Sequence, residues 1–335
     1  MNRHCERHPH PSRAGFFKPV VVLSKCLEVA PCRYNGAMIS DRFVKQLEPH
    51  VSFIPICPEI EIGLGVPRDP VRIVSKNGAF HLFQPATGSD LSEKMRHFSN
   101  QFLTSLNEVD GFILKSRSPS CGIKNVKRFL RTDAKIPAGK GAGFFAAEVL
   151  ERFPGLAVED EGRLNHPKIR DHFLTKLFTL ARFREAKNAN RPEALVRFHA
   201  THKLLLMAYH QKEIRFLGRI VGNSEKKPDG DLFNEYEPHL RYALARPSRS
   251  SSTINVLMHA FGYFSDEISK NEKAFFLKNL KSYRKEGLPL SAVLSILKGW
   301  IVRFQNGYLE NQTFFDPYPE SLNVIDIEEE ETKVR

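Results

Sequence analysis

Five cysteines are scattered over 335 residues, at positions 5, 26, 32, 57 and 121. Thiolate is both a nucleophile and a soft metal ligand, so chemistry is sought at these positions first. Cys26 follows Ser24-Lys25, Cys32 opens Cys32-Arg33-Tyr34-Asn35-Gly36, Cys57 precedes Pro58-Glu59, and Cys121 sits in Ser118-Pro119-Ser120-Cys121-Gly122. The last three lie among Pro, Gly, Ser and Asn, residues that build loops. They read as metal ligands or catalytic groups, against the plainer alternative that one or two are small buried hydrophobes. A structural zinc site usually draws on closely paired cysteines, and here only Cys26 and Cys32 are near each other, with five residues between them. Dispersed single thiolates fit an iron–sulfur cluster somewhat better, but spacing alone leaves zinc open. His4, Cys5, His8 and His10 are further possible ligands, although that stretch reads better as a mobile leader.

The elements that must position these cysteines are legible around them. Lys18-Pro19-Val20-Val21-Val22-Leu23-Ser24, Val51-Ser52-Phe53-Ile54-Pro55-Ile56 and Gly111-Phe112-Ile113-Leu114-Lys115 are apolar, β-branched runs. Ile39 to Leu47 and Glu93 to Leu106 carry helical patterns between them, and Gly139 to Phe144 introduces another helix over Phe145 to Phe153. Alternation of this kind predicts an α/β N-terminal domain, a parallel sheet flanked by helices. Right-handed crossovers then place the carboxyl ends of the three strands on one edge, where ligand sites of open α/β sheets lie. Cysteines far apart in sequence converge there.

From about Pro167 the texture changes to successive amphipathic helices, with predicted segments 167–187, 191–209, 211–222, 231–245, 251–268, 270–285 and 289–305. An all-α C-terminal domain follows. The expected organisation is a disordered leader (1–17), a catalytic domain (18–162), a helical domain (163–322) and an acidic tail (323–335). No apolar run reaches the length of about 18 residues needed to span a bilayer, and the amino terminus lacks the apolar core of a secretory signal. A cytoplasmic, reducing setting is therefore expected, with no membrane partner and no obligatory protein partner. The formal net charge of +12 favours an acidic partner, of which nucleic acid is the commonest. In the helical half the candidate phosphate contacts are Arg182, Arg184 and Lys187, then Arg197, His199, His202 and Lys203, then Lys281 and Arg284. Each cluster can equally be an ordinary solvated helix face.

The ordered blocks Cys26, Cys32-Arg33-Tyr34-Asn35-Gly36, Cys57-Pro58-Glu59, Gly63-Leu64-Gly65-Val66-Pro67-Arg68 and Ser118-Pro119-Ser120-Cys121-Gly122 resemble the thiouracil desulfidase family over about residues 18–160. The second half resembles a different family often fused to the first, through Leu195-Val196-Arg197-Phe198-His199, Asn255-Val256-Leu257-Met258-His259 and Pro317-Tyr318-Pro319. The fusion is similar to desulfidases of 4-thiouridine in tRNA. The resemblance implies a 4Fe–4S cluster held by Cys26, Cys57 and Cys121, with one iron left open for the substrate sulfur. It implies catalytic roles for Glu59 and Ser118, and makes Cys32 a pocket residue. Arg33, Lys115 and Arg117 are further pocket candidates, while Arg68 can brace the Gly63-Leu64-Gly65 loop. Two positions depart from the usual motif: Glu28 stands where glycine follows the first cysteine's leucine, and Asn35 replaces an aspartate. The implied activity is non-redox desulfuration of 4-thiouridine in tRNA to uridine. The alternatives are desulfuration of free thiouracil, or a non-catalytic, zinc-containing RNA-binding protein.

Overall fold

The computed structural model describes residues 17–223 and 226–323. The leader and the acidic tail expected from the sequence lie outside these residues, apart from Phe17 and Asn323. The described residues divide into two compact units, 18–181 with 320–323, and 182–319. The division falls inside one long helix.

The first unit is built on a parallel sheet of β1 (Val20–Ser24), β2 (Ser52–Ile56), β6 (Gly111–Leu114) and β9 (Ala157–Asp160) in the order β2-β1-β6-β9. Val21, Val22 and Leu23 of β1 and Phe112, Ile113 and Leu114 of β6 are fully buried. Continuous apolar runs are what a strand covered on both faces requires. Helices α1 (Arg42–Leu47), α2 (Pro58–Glu61), α3 (Ser92–Ser105) and α4 (Phe144–Arg152) lie in the crossovers, and α5 (Glu161–Leu164) follows β9. Phe98 and Phe102 of α3 meet Phe145 of α4 at ring distances of 6.3 and 6.0 Å, and Phe112 meets Phe153 at 5.2 Å. The three strand expectations and the convergence of their carboxyl ends on one edge hold.

Six strands lie beyond the sequence reading. β9 adds a fourth parallel strand where a change of texture was read. A second, mixed sheet of β3 (Arg72–Lys76), β4 (Ala79–Gln84), β5 (Ser89–Asp90), β7 (Val126–Phe129) and β8 (Gly139–Gly141) runs in the order β5-β4-β3-β7-β8.

Beyond this, the chain is helical: α6 (Pro167–Ala189), α7 (Pro192–Tyr209), α8 (Gln211–Gly222), α9 (Asp229–Ala243), α10 (Ser250–Gly262), α11 (Lys270–Arg284), α12 (Leu290–Phe304) and α13 (Gly307–Glu310). These follow the predicted segments closely, except that α10 stops at Gly262 rather than running on to 268. Pro192 opens α7, where its missing N–H costs nothing. Ser269 and Glu272 form a reciprocal capping box at the start of α11. Leu205, Val256, Phe264, Phe276, Leu297 and Trp300 share one apolar core in the second unit. Among the described residues, no helix is long and apolar enough to cross a membrane.

Candidate metal centre

Cys26, Cys57 and Cys121 are each placed by the end of a strand, and Cys32 by the loop after β1. The chain turns directly after β1, with the Leu27 N–H donating to the Ser24 carbonyl at 2.8 Å. The Lys25 N–H reaches across to Ile56 at the end of β2, also at 2.8 Å. Cys26 sits in this turn. Cys57 follows β2 as the N-cap of α2, with Pro58 at the first helical position. The loop after β6 carries Cys121. All four described cysteines are free and buried, at 9%, 3%, 9% and 6% exposure for Cys26, Cys32, Cys57 and Cys121.

The four thiols form one group. Cys32 has Cys26 and Cys57 as hydrogen-bonding neighbours, Cys57 donates weakly to the Cys32 carbonyl at 3.9 Å, and Cys121 lies within electrostatic reach of Cys57 and Glu59. The bond with Cys26, and then burial, push Cys32 up to about 11. Its bond with Cys32, and then burial, raise Cys57 further still. Burial pushes Cys121 up to about 12. A buried thiol beside other thiols resists becoming an anion, and only positive charge at the site reverses that. Four buried thiols gathered from separate loops are also a soft donor set of the kind that binds iron or zinc. Among the described residues, no three His, Cys, Asp or Glu side chains converge on a single-ion site. In a cluster each cysteine binds its own iron atom, so its ligands need not meet at one point.

Glu59 stands beside the cysteines on α2. Its Oε2 accepts from Arg68 Nε at 2.9 Å and Nη2 at 2.6 Å, and its Oε1 accepts from the Ser120 hydroxyl at 3.0 Å. Arg68 also donates from Nη1 to the Cys32 carbonyl at 3.1 Å and the Gly65 carbonyl at 3.2 Å. One guanidinium thus braces the glycine loop, as anticipated, and additionally fixes the carboxylate and the Cys32 turn. The link to Glu59 and the part played by fully buried Ser120 are not visible in the sequence, because both depend on loops brought together by the fold. Ser118 caps its own turn: its hydroxyl oxygen accepts from the Ser120 N–H at 3.2 Å and the Cys121 N–H at 3.1 Å. Its side chain also bonds with the Cys121 thiol, as does that of Ser24.

Of the two motif departures, Glu28 finds a structural reason and Asn35 does not. Glu28 has φ +64°, the left-handed region that suits glycine and costs another residue about 1–2 kcal/mol. Its carboxylate accepts from the Asp41 N–H and pairs with Lys45 at 3.4 Å, interactions that glycine lacks and that offset this cost. Asn35 accepts the Ala37 N–H at 3.2 Å, a turn bond that an aspartate oxygen makes equally well.

The pocket candidates separate. Arg33 lies over the ring of half-exposed Tyr34 at 5.6 Å. Arg117 is exposed, at φ +60°. Lys115 is committed to the fold: its ammonium pairs with buried Glu161, whose carboxylate also takes the Ser116 N–H at 2.7 Å and hydroxyl at 2.6 Å. A lysine so held serves the fold of this loop rather than a pocket.

The basic candidates of the second half separate likewise. Arg182 donates to the Pro317 carbonyl at 2.7 Å, and burial lowers its pKa to about 10. Arg184 pairs with Glu185 and Lys187 with Glu237. His199 bonds Tyr236 at 3.0 Å and His202 is buried against the Phe198 carbonyl at 2.8 Å. For these residues the fold supplies an internal partner where the sequence suggested phosphate. Arg197, Lys203, Lys281 and Arg284 remain exposed.

A parallel-sheet domain with four buried cysteines at the carboxyl edge of its strands is thus joined to a helical region. Residues 21–161 match the 2-thiouracil desulfurase family and residues 203–319 match a protein family of unknown function, DUF1722. The chain therefore carries a thiouracil-desulfidase-like domain fused to a DUF1722 region. Among curated proteins it is similar to the uncharacterized protein YbgA of Escherichia coli (strain K12), 28% identical over 48% of this chain and 96% of that one. It is also similar to the uncharacterized protein YbbK of Bacillus subtilis (strain 168), 29% identical over 44% of this chain and 98% of that one. A solved [4Fe-4S]-dependent thiouracil desulfidase, TudS, aligns over 44% of this chain and 94% of its own, with 23% identity and a TM-score of 0.33.

Proposed function

We propose that the chain is an iron–sulfur-dependent desulfidase that converts 4-thiouridine in tRNA to uridine without net redox change. The observation that carries this reading is the group of four buried cysteines with Glu59 held against it by Arg68 and Ser120. Cys26, Cys57 and Cys121, arriving from three separate strand ends, would hold a 4Fe–4S cluster, with Cys32 beside them. When bound with three protein ligands, such a cluster supplies an open, thiophilic Lewis-acid iron.

The chain's own residues supply the rest. The reaction adds water at C4 of the thiocarbonyl and releases the sulfur as hydrosulfide, so a base must take a proton from that water. Glu59 is the carboxylate placed for it, and the arginine fork fixes its orientation. Ser120 holds its second oxygen. Ser118 shapes the Cys121 loop and turns its hydroxyl toward the Cys121 sulfur. Half-exposed Arg33 and Tyr34 flank Cys32, where a planar base can stack. The net charge of +12 and the exposed basic residues of the helical region support RNA over the free base as the substrate.

The test is anaerobic purification followed by iron and sulfide analysis, then incubation with thiolated tRNA and with free 4-thiouracil, read by loss of thiocarbonyl absorbance. Iron with activity on tRNA supports the reading. Zinc without iron overturns it, and activity on the free base alone rejects tRNA as the substrate.

A further inference from the structure

The chain leaving Cys121 does not pass straight into a helix. It runs out through β7, returns through β8, and comes back to the loop it left. The Gly143 N–H donates to the Gly122 carbonyl at 2.8 Å, Phe144 to Pro119 at 3.0 Å and Ala146 to Ser120 at 3.0 Å. Both feet of this hairpin therefore stand on the cysteine loop. Between Pro119 and Gly143 the chain carries six Lys or Arg residues and a single acid, Asp133. Arg131 takes that aspartate, and Arg128 lies 4.1 Å over the Phe80 ring. Lys124, Lys127, Lys135 and Lys140 are exposed and make no ion pair among the described residues.

The register sharpens the point. Lys127 of β7 stands directly opposite Lys140 of β8. Like charges facing each other across antiparallel strands are destabilising. Lysine on an edge strand guards against edge-to-edge pairing, which accounts for Lys140. It does not account for Lys127, whose strand is covered by β3 on one side and β8 on the other.

We infer that the β7–β8 hairpin is a seat for the RNA backbone, with Lys127 and Lys140 as its centre and Lys124 at its base. The inference rests on the tRNA reading above and adds a phosphate-binding surface within the catalytic unit itself. Lys124 and Lys127 are three and six residues after Cys121, so they stay within about 20 Å of it along the chain. Phosphates neighbouring a nucleotide at the cysteine site fall within that reach. A polyanion relieves the Lys127–Lys140 repulsion and neutralises both charges at once.

The test uses the full-length protein, binding of 4-thiouridine-containing tRNA by fluorescence anisotropy, and a salt series. Lys127→Glu with Lys140→Glu should weaken binding at least tenfold. The slope of log K against log salt should fall by about 1.4 to 1.8, the share of two phosphates. Lys127→Arg with Lys140→Arg should bind as the wild type does, which separates lost charge from lost folding. Unchanged affinity and slope in the Glu variant, while the wild type binds and desulfurates tRNA, would overturn the inference and leave the lysines as edge guards. A wild-type protein that neither binds nor desulfurates tRNA removes the underlying reading instead.

Discussion

At the scale of single residues, the proposed function separates groups that would hold metal from groups that would move protons. Replacing Cys57 with Ala removes a proposed strand-end ligand, so the iron content and the brown absorbance of the anaerobically purified protein should both be lost. Glu59→Gln keeps the shape and removes the proposed base. The variant should retain iron and lose turnover by about 10²- to 10⁴-fold, the usual share of general acid–base catalysis. Arg68 acts through Glu59, and its fork geometry matters beyond its charge. Arg68→Lys should therefore lower kcat more than it raises KM while the iron content stays at the wild-type level, a split that a purely structural loss would not give. The cysteines, Glu59 and Ser118 are legible as sequence blocks because their local neighbours are distinctive. Ser120 and the Glu59–Arg68 fork are not, since each partner looks ordinary until the two loops meet.

At the scale of elements, the parallel strands are readable because burial on both faces demands unbroken apolar runs, and the helices because their apolar stripes recur. The second sheet is harder. Its β3–β4 hairpin does carry a signal, Asn77-Gly78 at φ +53° and +79°, a pair that suits a tight turn. β8 carries none, being Gly139-Lys140-Gly141, a strand defined by its neighbour rather than by its composition. The loop between these sheets is packed backbone to backbone. A Cβ on Gly143 would sit 2.6 Å from the Ser120 carbonyl oxygen and 2.7 Å from that of Pro119, whereas one on Gly139 meets nothing within 4 Å. Gly143→Ala should cost about 1–3 kcal/mol by overpacking and should lower the iron bound per chain. Gly139→Ala should leave melting temperature and iron content as they are. A comparison of the two variants by thermal melting and iron assay checks the claim that the Cys121 loop is set by this contact.

At the scale of the whole molecule, buried imidazoles make stability depend on acid. Burial lowers His172 and His199 to about 4 and His202 to about 3, while an unfolded histidine titrates near about 6.5. The unfolded chain therefore binds protons first as pH falls. The contribution of these groups is complete above about pH 6.5 and is lost progressively toward about pH 4. Denaturant midpoints should fall between pH 7.5 and pH 5, and His199→Gln, which can still bond Tyr236, should flatten that fall. The arrangement of the cysteines has a consequence for biogenesis. No short peptide of this chain contains a complete ligand set: Cys26, Cys57 and Cys121 become neighbours only after β1, β2 and β6 have paired. On the ligation proposed above, a nascent chain emerging from the ribosome would have no place to receive iron until the third of these strands has been made and docked. Cofactor insertion would then be a late event, performed on a folded apoprotein, with the ordered sheet as its scaffold rather than its product.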